Sequence, residues 1–365
     1  MKDGYREYSG AEHAHASSSD AAQKKDVEPS GTVVTLSSEP FLAADVGGTH
    51  ARIGLLSFRP NQAAPVVLAY RVYKCAEYTS LDAIVRSFCH EHAVRPQRLA
   101  LACAGFLHEG KVVNNNLQWP VVPAALEKQL GLSDVEVLND FEALAYGTAY
   151  LDVGDVRPLH RPLQNEKMIT GPVVIVGPGT GLGVAVRLPG AKPNVLATEA
   201  GHIQLAARVG REQQVLAELT QADTHVPYDY VLSGPGLLRL YGALCRLERQ
   251  PTVFHDPAAI TAAACAGTNA CAVETLQLFC GWLGSFLGDL AMLYGATGGI
   301  YLAGGFLSQM IEFVEKSTFV SRFLDKGVMR PFQQTVPVYV VDHAQLAVIG
   351  AASWLMNGHA QDKAA

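Results

Sequence analysis

The sequence predicts a two-domain α/β protein, and three observations carry that expectation. Apolar runs with strand-like alternation take turns with amphipathic helical stretches from residue 40 onward. A strand, glycine-turn, strand unit occurs twice, as PFLAADVGGTHARIGLL at 40–56 and GPVVIVGPGTGLGVAVRL at 171–188. Their wide separation suggests two related α/β halves rather than a solenoid repeat. The chain has 365 residues, 49% hydrophobic and 17% charged, enough for one large or two medium domains with a substantial core.

In order, the first unit gives a strand, a Gly-Gly-Thr turn and a second strand. PVVLAYRVY (65–73) continues as a strand. SLDAIVRSFCHEH (80–92) places Leu81, Ile84, Val85 and Phe88 at helical spacing. RLALACAG (98–105) reads as a buried strand, and AALEKQLG (124–131) as a short helix stopped by Gly131. DVEVL (134–138) is a strand, and DFEALAYGTAYL (140–151) starts a helix. After the second glycine turn the chain becomes mainly helical, with PGLLRLYGALCRL and AVETLQLFCGWLGSFLGDLAML as the longest helices. A strand at 298–305, a helix near 306–316, a strand at 336–342 and a final helix from Ala344 complete the expectation.

Composition narrows the function classes. A net charge of −6 argues against a nucleic-acid binder, which would show a basic face. The seven cysteines are odd in number and contain no C-x-x-C, which fits buried thiols in a reducing, cytoplasmic setting. Residues 1–37 are polar and mixed in charge, without a signal-peptide core, and read as a disordered tail. The apolar run 276–307 is long enough for a membrane span, but Asp289 sits within it and Gly298-Gly299 interrupts it. A buried helix with Gly281, Gly284 and Gly288 at a close packing face, then a buried strand, explains it better. No membrane partner is expected.

VGPGTGLGV (176–184) meets neither the Walker pattern, which needs Lys-Ser/Thr and a helix, nor the dinucleotide pattern. It is a hairpin turn or an anion-binding nest of backbone N–H groups. DVGGTH (45–50) has the same form, and Asp45 either starts the turn or orients a hydrated Mg²⁺. Asn139-Asp140 lies between a strand and a helix, where it either caps the helix or places a carboxylate to accept a hydroxyl proton. Glu199 and His202 in TEAGHIQL suit a hydroxyl-binding turn, or a structural loop. VLSGPGLLRLY (231–241) and YLAGGFL (301–307) put glycines at helix starts, which favour anions.

Taken together, DVGGTH at 45–50, NNNLQW at 114–119, NDF at 139–141, GPGTGLGVA at 177–185, EAGH at 199–202, VLSGPGL at 231–237 and LAGGF at 302–306 resemble the bacterial-type glucokinase family. That family belongs to the hexokinase/actin-like ATPase superfamily, with a ribonuclease H-like α/β fold, mixed sheets with flanking helices and an interdomain cleft. The resemblance covers the chain after residue 38. It implies a small α/β domain at 38–150, completed by a C-terminal helix at 344–358, and a large one at 151–343. It implies phosphorylation of a hexose, glucose in the leading case, with ATP and Mg²⁺ as cofactors and Asp140 as general base. Asn116, Asn139, Glu199, His202 and Asp229 would contact the sugar. Asp45, Gly47, Gly48, Thr49, Gly177, Gly179, Thr180, Gly181, Gly304 and Gly305 would serve the nucleotide, with Asp45 meeting Mg²⁺ through water rather than directly. Gly179 is expected to need a positive φ. Hexose and ATP are the expected partners, and a homodimer is the candidate assembly. Family members usually carry Asn at the position of His50, Pro at Ala104, Gly at Ala200 and Glu at Asp229. The rival reading is a catalytically weak paralogue that binds sugar and regulates or docks to something else.

Overall fold

A computed structural model describes residues 39–59, 64–113, 119–162, 171–190, 194–220 and 225–356. The tail expected at 1–37 and the candidate ligand Asn116 lie outside the described residues.

β1 (Phe41–Val46) and β2 (His50–Ser57) form an antiparallel hairpin around Gly47-Gly48-Thr49, and β3 (Val66–Lys74) continues the meander. α1 (Leu81–Glu91) is capped by the Ser80 hydroxyl and buries Leu81, Ile84, Val85 and Phe88, the four residues at helical spacing. β4 (Arg98–Cys103) pairs in parallel with β1. β5 (Phe106–His108) and β6 (Lys111–Val113) make a separate small hairpin. α2 (Pro123–Leu130) starts on a proline and stops at Gly131, whose φ of 68° is the left-handed conformation open to glycine. β7 (Asp134–Asn139) pairs with β4, giving the sheet order β3-β2-β1-β4-β7.

α3 (Asp140–Gly147) follows β7 without a break. β8 (Val156–His160) leads to the second sheet, where β9 (Val173–Pro178), β10 (Leu182–Leu188) and β11 (Asn194–Thr198) form another antiparallel meander. The helical section runs through α4 (Arg211–Leu219), α5 (Tyr228–Val231), α6 (Gly234–Leu247), α7 (Pro257–Cys265) and α8 (Ala270–Tyr294). β12 (Gly299–Leu302), α9 (Gly305–Gln309), α10 (Ile311–Lys316), α11 (Phe319–Leu324), α12 (Arg330–Gln333), β13 (Val338–Val341) and α13 (Leu346–Met356) complete the described chain. The second sheet has the order β11-β10-β9-β12-β13-β8, with β12 and β13 parallel to β9. Apart from the antiparallel edge strand β8, this repeats the topology of the first sheet, as the two glycine hairpins predicted.

The expected helix near 306–316 is instead two short helices, interrupted at Met310. β8 carries Pro158, which an edge strand tolerates because one side of it needs no ladder donor. The long apolar run divides into α8 and β12. α11 crosses α8 on its glycine face: a Cβ at Gly284 would lie 2.2 Å from the Phe319 carbonyl oxygen. Asp289 is paired with Lys326 at 2.6 Å. α8 is the one helix among the described residues long and apolar enough to span a membrane, and 72% of its most apolar window is buried within the fold.

α3 and α13 lie together between the two sheets. α13 packs on β1 and β4, while α3 faces β9, β10 and β11. Their crossing is close because Gly350 lets α13 approach α3: a Cβ there would fall 1.7 Å from the Ala143 carbonyl oxygen. One apolar cluster joins Ala143 and Tyr146 to Ala347, Val348 and Ala351 against the first sheet. Another joins Ala145 and Leu346 to Ile175, Ala185 and Ala303 of the second. The N-terminus of α3, where Asp140 sits, is thus clamped by both sheets.

Candidate active site

The parallel strands of the first sheet end in step. Val46 of β1 is level with Cys103 of β4, which is level with Asn139 of β7. In open α/β sheets this carboxyl edge is where ligands gather. Asn139 caps α3: its Oδ1 accepts from the Phe141 N–H at 2.8 Å and the Glu142 N–H at 3.3 Å. Glu142 returns the bond to the Asn139 N–H at 3.1 Å, completing a capping box. The Asn139 amide also donates to the Gly105 carbonyl at 3.2 Å. The cap is therefore supplied by Asn139, and Asp140 is released from that duty.

Asp140 occupies the first turn of α3, with its Oδ1 accepting from the Phe141 N–H at 3.0 Å. Burial, reinforced by the charges of Asp45 and Glu199, pushes its carboxyl from the ordinary 3.8 up to about 6. Burial also raises Asp45, opposed by Arg52, whose Nη1 lies 3.0 Å from Asp45 Oδ2 across the β1–β2 pair. The buried Cys103 thiol, held up at about 12 by burial and by both carboxylates, is no nucleophile near neutral pH.

The two glycine hairpins differ in detail. The first is pinned by Cys75, whose N–H donates to the Thr49 carbonyl at 2.9 Å and whose thiol donates to the Gly47 carbonyl at 3.4 Å. In the second, Gly179 N–H bonds the Gly181 carbonyl at 2.7 Å, and Gly234 N–H bonds the Gly179 carbonyl at 2.8 Å. Thr180 is exposed at the tip. Gly179 is not among the left-handed glycines, contrary to expectation; its bare Cα leaves open space instead, with nothing nearer a Cβ than 3.9 Å. Gly177, expected in the phosphate loop, lies within β9 opposite Gly183, and both glycines seat the Phe141 ring: Cβ atoms there would fall 2.6 and 2.0 Å from it. Sequence spacing alone did not show Phe141 in this role; two glycines facing each other across a hairpin, with an aromatic beside the carboxylate, were the available signal. Gly304 has φ 129° and approaches the Pro178 carbonyl, where a Cβ would lie at 2.9 Å, while Gly305 is open.

Glu199 and His202 bracket a tight turn after β11 and are both exposed, with 3.9 Å between Oε2 and Nε2. Asp229, on α5, accepts the Leu182 N–H at 2.6 Å, which places it against the second hairpin. Asp140, Asp45, Glu199, Asp229 and both hairpins therefore converge on one region. A separate open cavity of about 710 Å³, between α1 and the end of α2, includes none of the candidate residues.

The glucokinase family model matches residues 42–358. The chain belongs to the glucokinase family. It is 44% identical over 321 residues to the glucokinase-like protein of Xylella fastidiosa strain 9a5c, covering 87% of this chain and 95% of that one. The glucokinase of Agrobacterium fabrum is 37% identical over 327 residues, covering 87% and 92%. Among solved structures, a glucokinase from an Antarctic psychrotroph superposes with a TM-score of 0.76 at 35% identity, covering 87% of this chain and all but 1% of that one (99%). Membership in the glucokinase family supports a sugar kinase that uses ATP and small-molecule sugar substrates, and it fits the mixed α/β architecture of two main sheets with flanking helices.

For a glucokinase-family site, the elevated Asp140 carboxyl has a kinetic signature. Were Asp140 to act as a general base, which works only when deprotonated, kcat/KM would fall about tenfold per pH unit below about pH 6. A pH–rate profile whose acid limb lies near pH 4 would show that Asp140 is an ordinary carboxylate in the working enzyme.

Proposed function

We propose that this protein phosphorylates glucose on its 6-hydroxyl with MgATP, and that Asp140 is the general base. The observation that carries this reading is the half-buried Asp140 carboxylate at the carboxyl edge of the first sheet, raised to about 6 by desolvation and by the charges of Asp45 and Glu199, and joined through Phe141 to the glycine hairpin. At neutral pH most of it is ionised, yet it binds a proton more strongly than an ordinary aspartate. Phosphoryl transfer needs positioning and charge neutralisation more than covalent help. Asn116, Asn139, Glu199 and His202 are proposed to hold the sugar hydroxyls. Gly47, Gly48, Thr49, Gly179, Thr180 and Gly181 would face the phosphates, with Gly177 and Gly304 supporting the hairpin base and Gly305 towards the adenosine.

Asp45 has one oxygen engaged by Arg52 at 3.0 Å, a donor set suited to orienting a hydrated Mg²⁺ through water rather than to direct ligation. The ion, when bound, neutralises phosphate charge. We assign 38–150 with 344–358 to a smaller lobe and 151–343 to a larger one, closing over the sugar in the cytoplasm. The 44% identity to a glucokinase-like protein, together with Ala104, Ala200 and Asp229, supports the second reading, a weak paralogue that binds sugar.

A coupled ADP-release assay across a hexose panel, with phosphorus NMR of the product, decides between them. Glucose is expected to give the highest kcat/KM and a 6-phosphate; no phosphorylated hexose would favour the paralogue. Gly179→Val should raise the KM for ATP about ten- to a hundred-fold, roughly the worth of one charge-assisted hydrogen bond, with little change in the KM for hexose. The expected cause is obstruction of the open approach at Gly179, since its backbone carries no left-handed strain. Equal loss of both substrates with a lowered Tm would mark the loop as a structural turn.

A further inference from the structure

We propose that Asp229 is a positioning residue for the second glycine hairpin, so that its loss is felt on the ATP side of the reaction. This rests on the kinase reading above, which assigns that hairpin to the nucleotide. The Asp229 carboxylate accepts the Leu182 N–H at 2.6 Å, where the chain leaves the loop and enters β10. Bonds from a backbone N–H to an ionised carboxylate are among the stronger neutral-donor bonds. The same oxygen sits over Gly181: a Cβ on that glycine would lie 2.8 Å from Oδ1, so the bare Cα is what admits the carboxylate.

Asp229 is itself held in place. Its backbone carbonyl accepts from the Ser233 hydroxyl at 2.8 Å, and Ser233 in turn caps α6 by accepting the Gly236 N–H at 3.1 Å. Ser233 is fully enclosed, with 1% exposure, so this link is fixed by packing. One residue on, the Gly234 N–H holds the Gly179 carbonyl at 2.8 Å. The loop 179–181 is therefore tied at both ends to the α5–α6 junction, by Gly234 at its start and by Asp229 at its finish. The turn that carries Glu199 and His202 rests on the same residue of the hairpin, since a Cβ on Gly201 would fall 2.2 Å from the Leu182 carbonyl oxygen. An aspartate is the length that this contact needs. With Asp in place of the family's usual Glu, the carboxylate is one methylene shorter, and here that shorter arm ends on the Leu182 N–H.

The test compares the full chain with Asp229→Ala and Asp229→Asn, using hydrogen exchange of the 176–188 segment, ATP and ADP binding without hexose, and separate Michaelis constants for ATP and hexose. Asp229→Ala is expected to speed exchange of the hairpin amides and to raise the ATP constant about tenfold or more, the loss of one charge-assisted bond. Asp229→Asn, whose amide oxygen can take the Leu182 N–H, should recover most of both. If the alanine variant does not fold, Asp229→Ser, whose hydroxyl is too short to reach Leu182, serves the same comparison. A hairpin that stays protected in Asp229→Ala or Asp229→Ser while only the hexose constant rises would overturn the proposal and leave Asp229 a sugar contact. A wild-type chain that binds neither ATP nor ADP, but whose hairpin still loosens in the variant, would overturn the nucleotide reading while sustaining the tether.

Discussion

Asp140→Asn is expected to lower turnover by about 10²–10⁴ and, at the same time, to make the protein more stable at pH 8. The two effects share one cause. Asn cannot accept the hydroxyl proton, so the catalytic contribution is lost. It also removes a carboxylate that burial and the neighbouring charges of Asp45 and Glu199 make costly to ionise. A carboxyl with a folded pKa above its unfolded value binds its proton more tightly in the folded chain. On its account stability is greatest below about pH 4 and declines as pH rises towards about 6, after which the full cost applies. The gap between 3.8 and about 6 corresponds to a cost on the order of 2–3 kcal/mol. The variant should therefore melt higher than wild type at pH 8 and lose that advantage at pH 4. The fold is undisturbed because Asn139, not Asp140, supplies the helix cap. Near-normal turnover, or a variant less stable than wild type at pH 8, would remove Asp140 from the role of a base whose carboxyl is held above its ordinary pKa.

Much of this arrangement was legible in the sequence, for identifiable reasons. The two glycine hairpins are local patterns, and the apolar runs of β1 and β9, the alternation that follows each turn and the helical spacing in α1 declared them. The helix start at Asp140 was equally plain. The sequence could not say which of the two adjacent residues caps and which is left to act, since Asn and Asp cap equally well. Three-dimensional pairing decides it: the Asn139 amide finds the Gly105 carbonyl on the neighbouring connection. The hairpin glycines pose the same difficulty. Glycine spacing in 177–183 reads as a uniform phosphate loop, but β pairing turns Gly177 and Gly183 to the same Phe141 ring and leaves Gly179 and Thr180 at the tip. A long-range contact also brings Asp229 to Leu182, and the pairing of Arg52 with Asp45 follows only from hairpin register; neither leaves a periodic trace.

Gly183→Ala is the second large effect expected, and it tests whether the carboxylate and the hairpin are mechanically one unit. A Cβ at this position would fall 2.0 Å from the Phe141 ring, which is far inside any real contact. The ring also rests on Gly177, where a Cβ would lie 2.6 Å away, so it cannot slide toward that strand. Phe141 directly follows Asp140, so displacing the ring displaces the first turn of α3 and the base with it. Overpacking of this kind costs about 1–3 kcal/mol. A shift of about 1 Å in a reacting group is enough to lower turnover about 10²-fold. Trimming the ring should relieve the clash, so Phe141→Leu in the Gly183→Ala background is expected to be less destabilised than the two single changes added together, by about 0.5–3 kcal/mol. Part of the lost turnover should return with it. Denaturant melts and kcat for the four proteins of the cycle give both quantities. Strict additivity in stability, or a Gly183→Ala protein with wild-type kcat, would mean that the hairpin and the Asp140 turn move independently and that the ring between them only fills space.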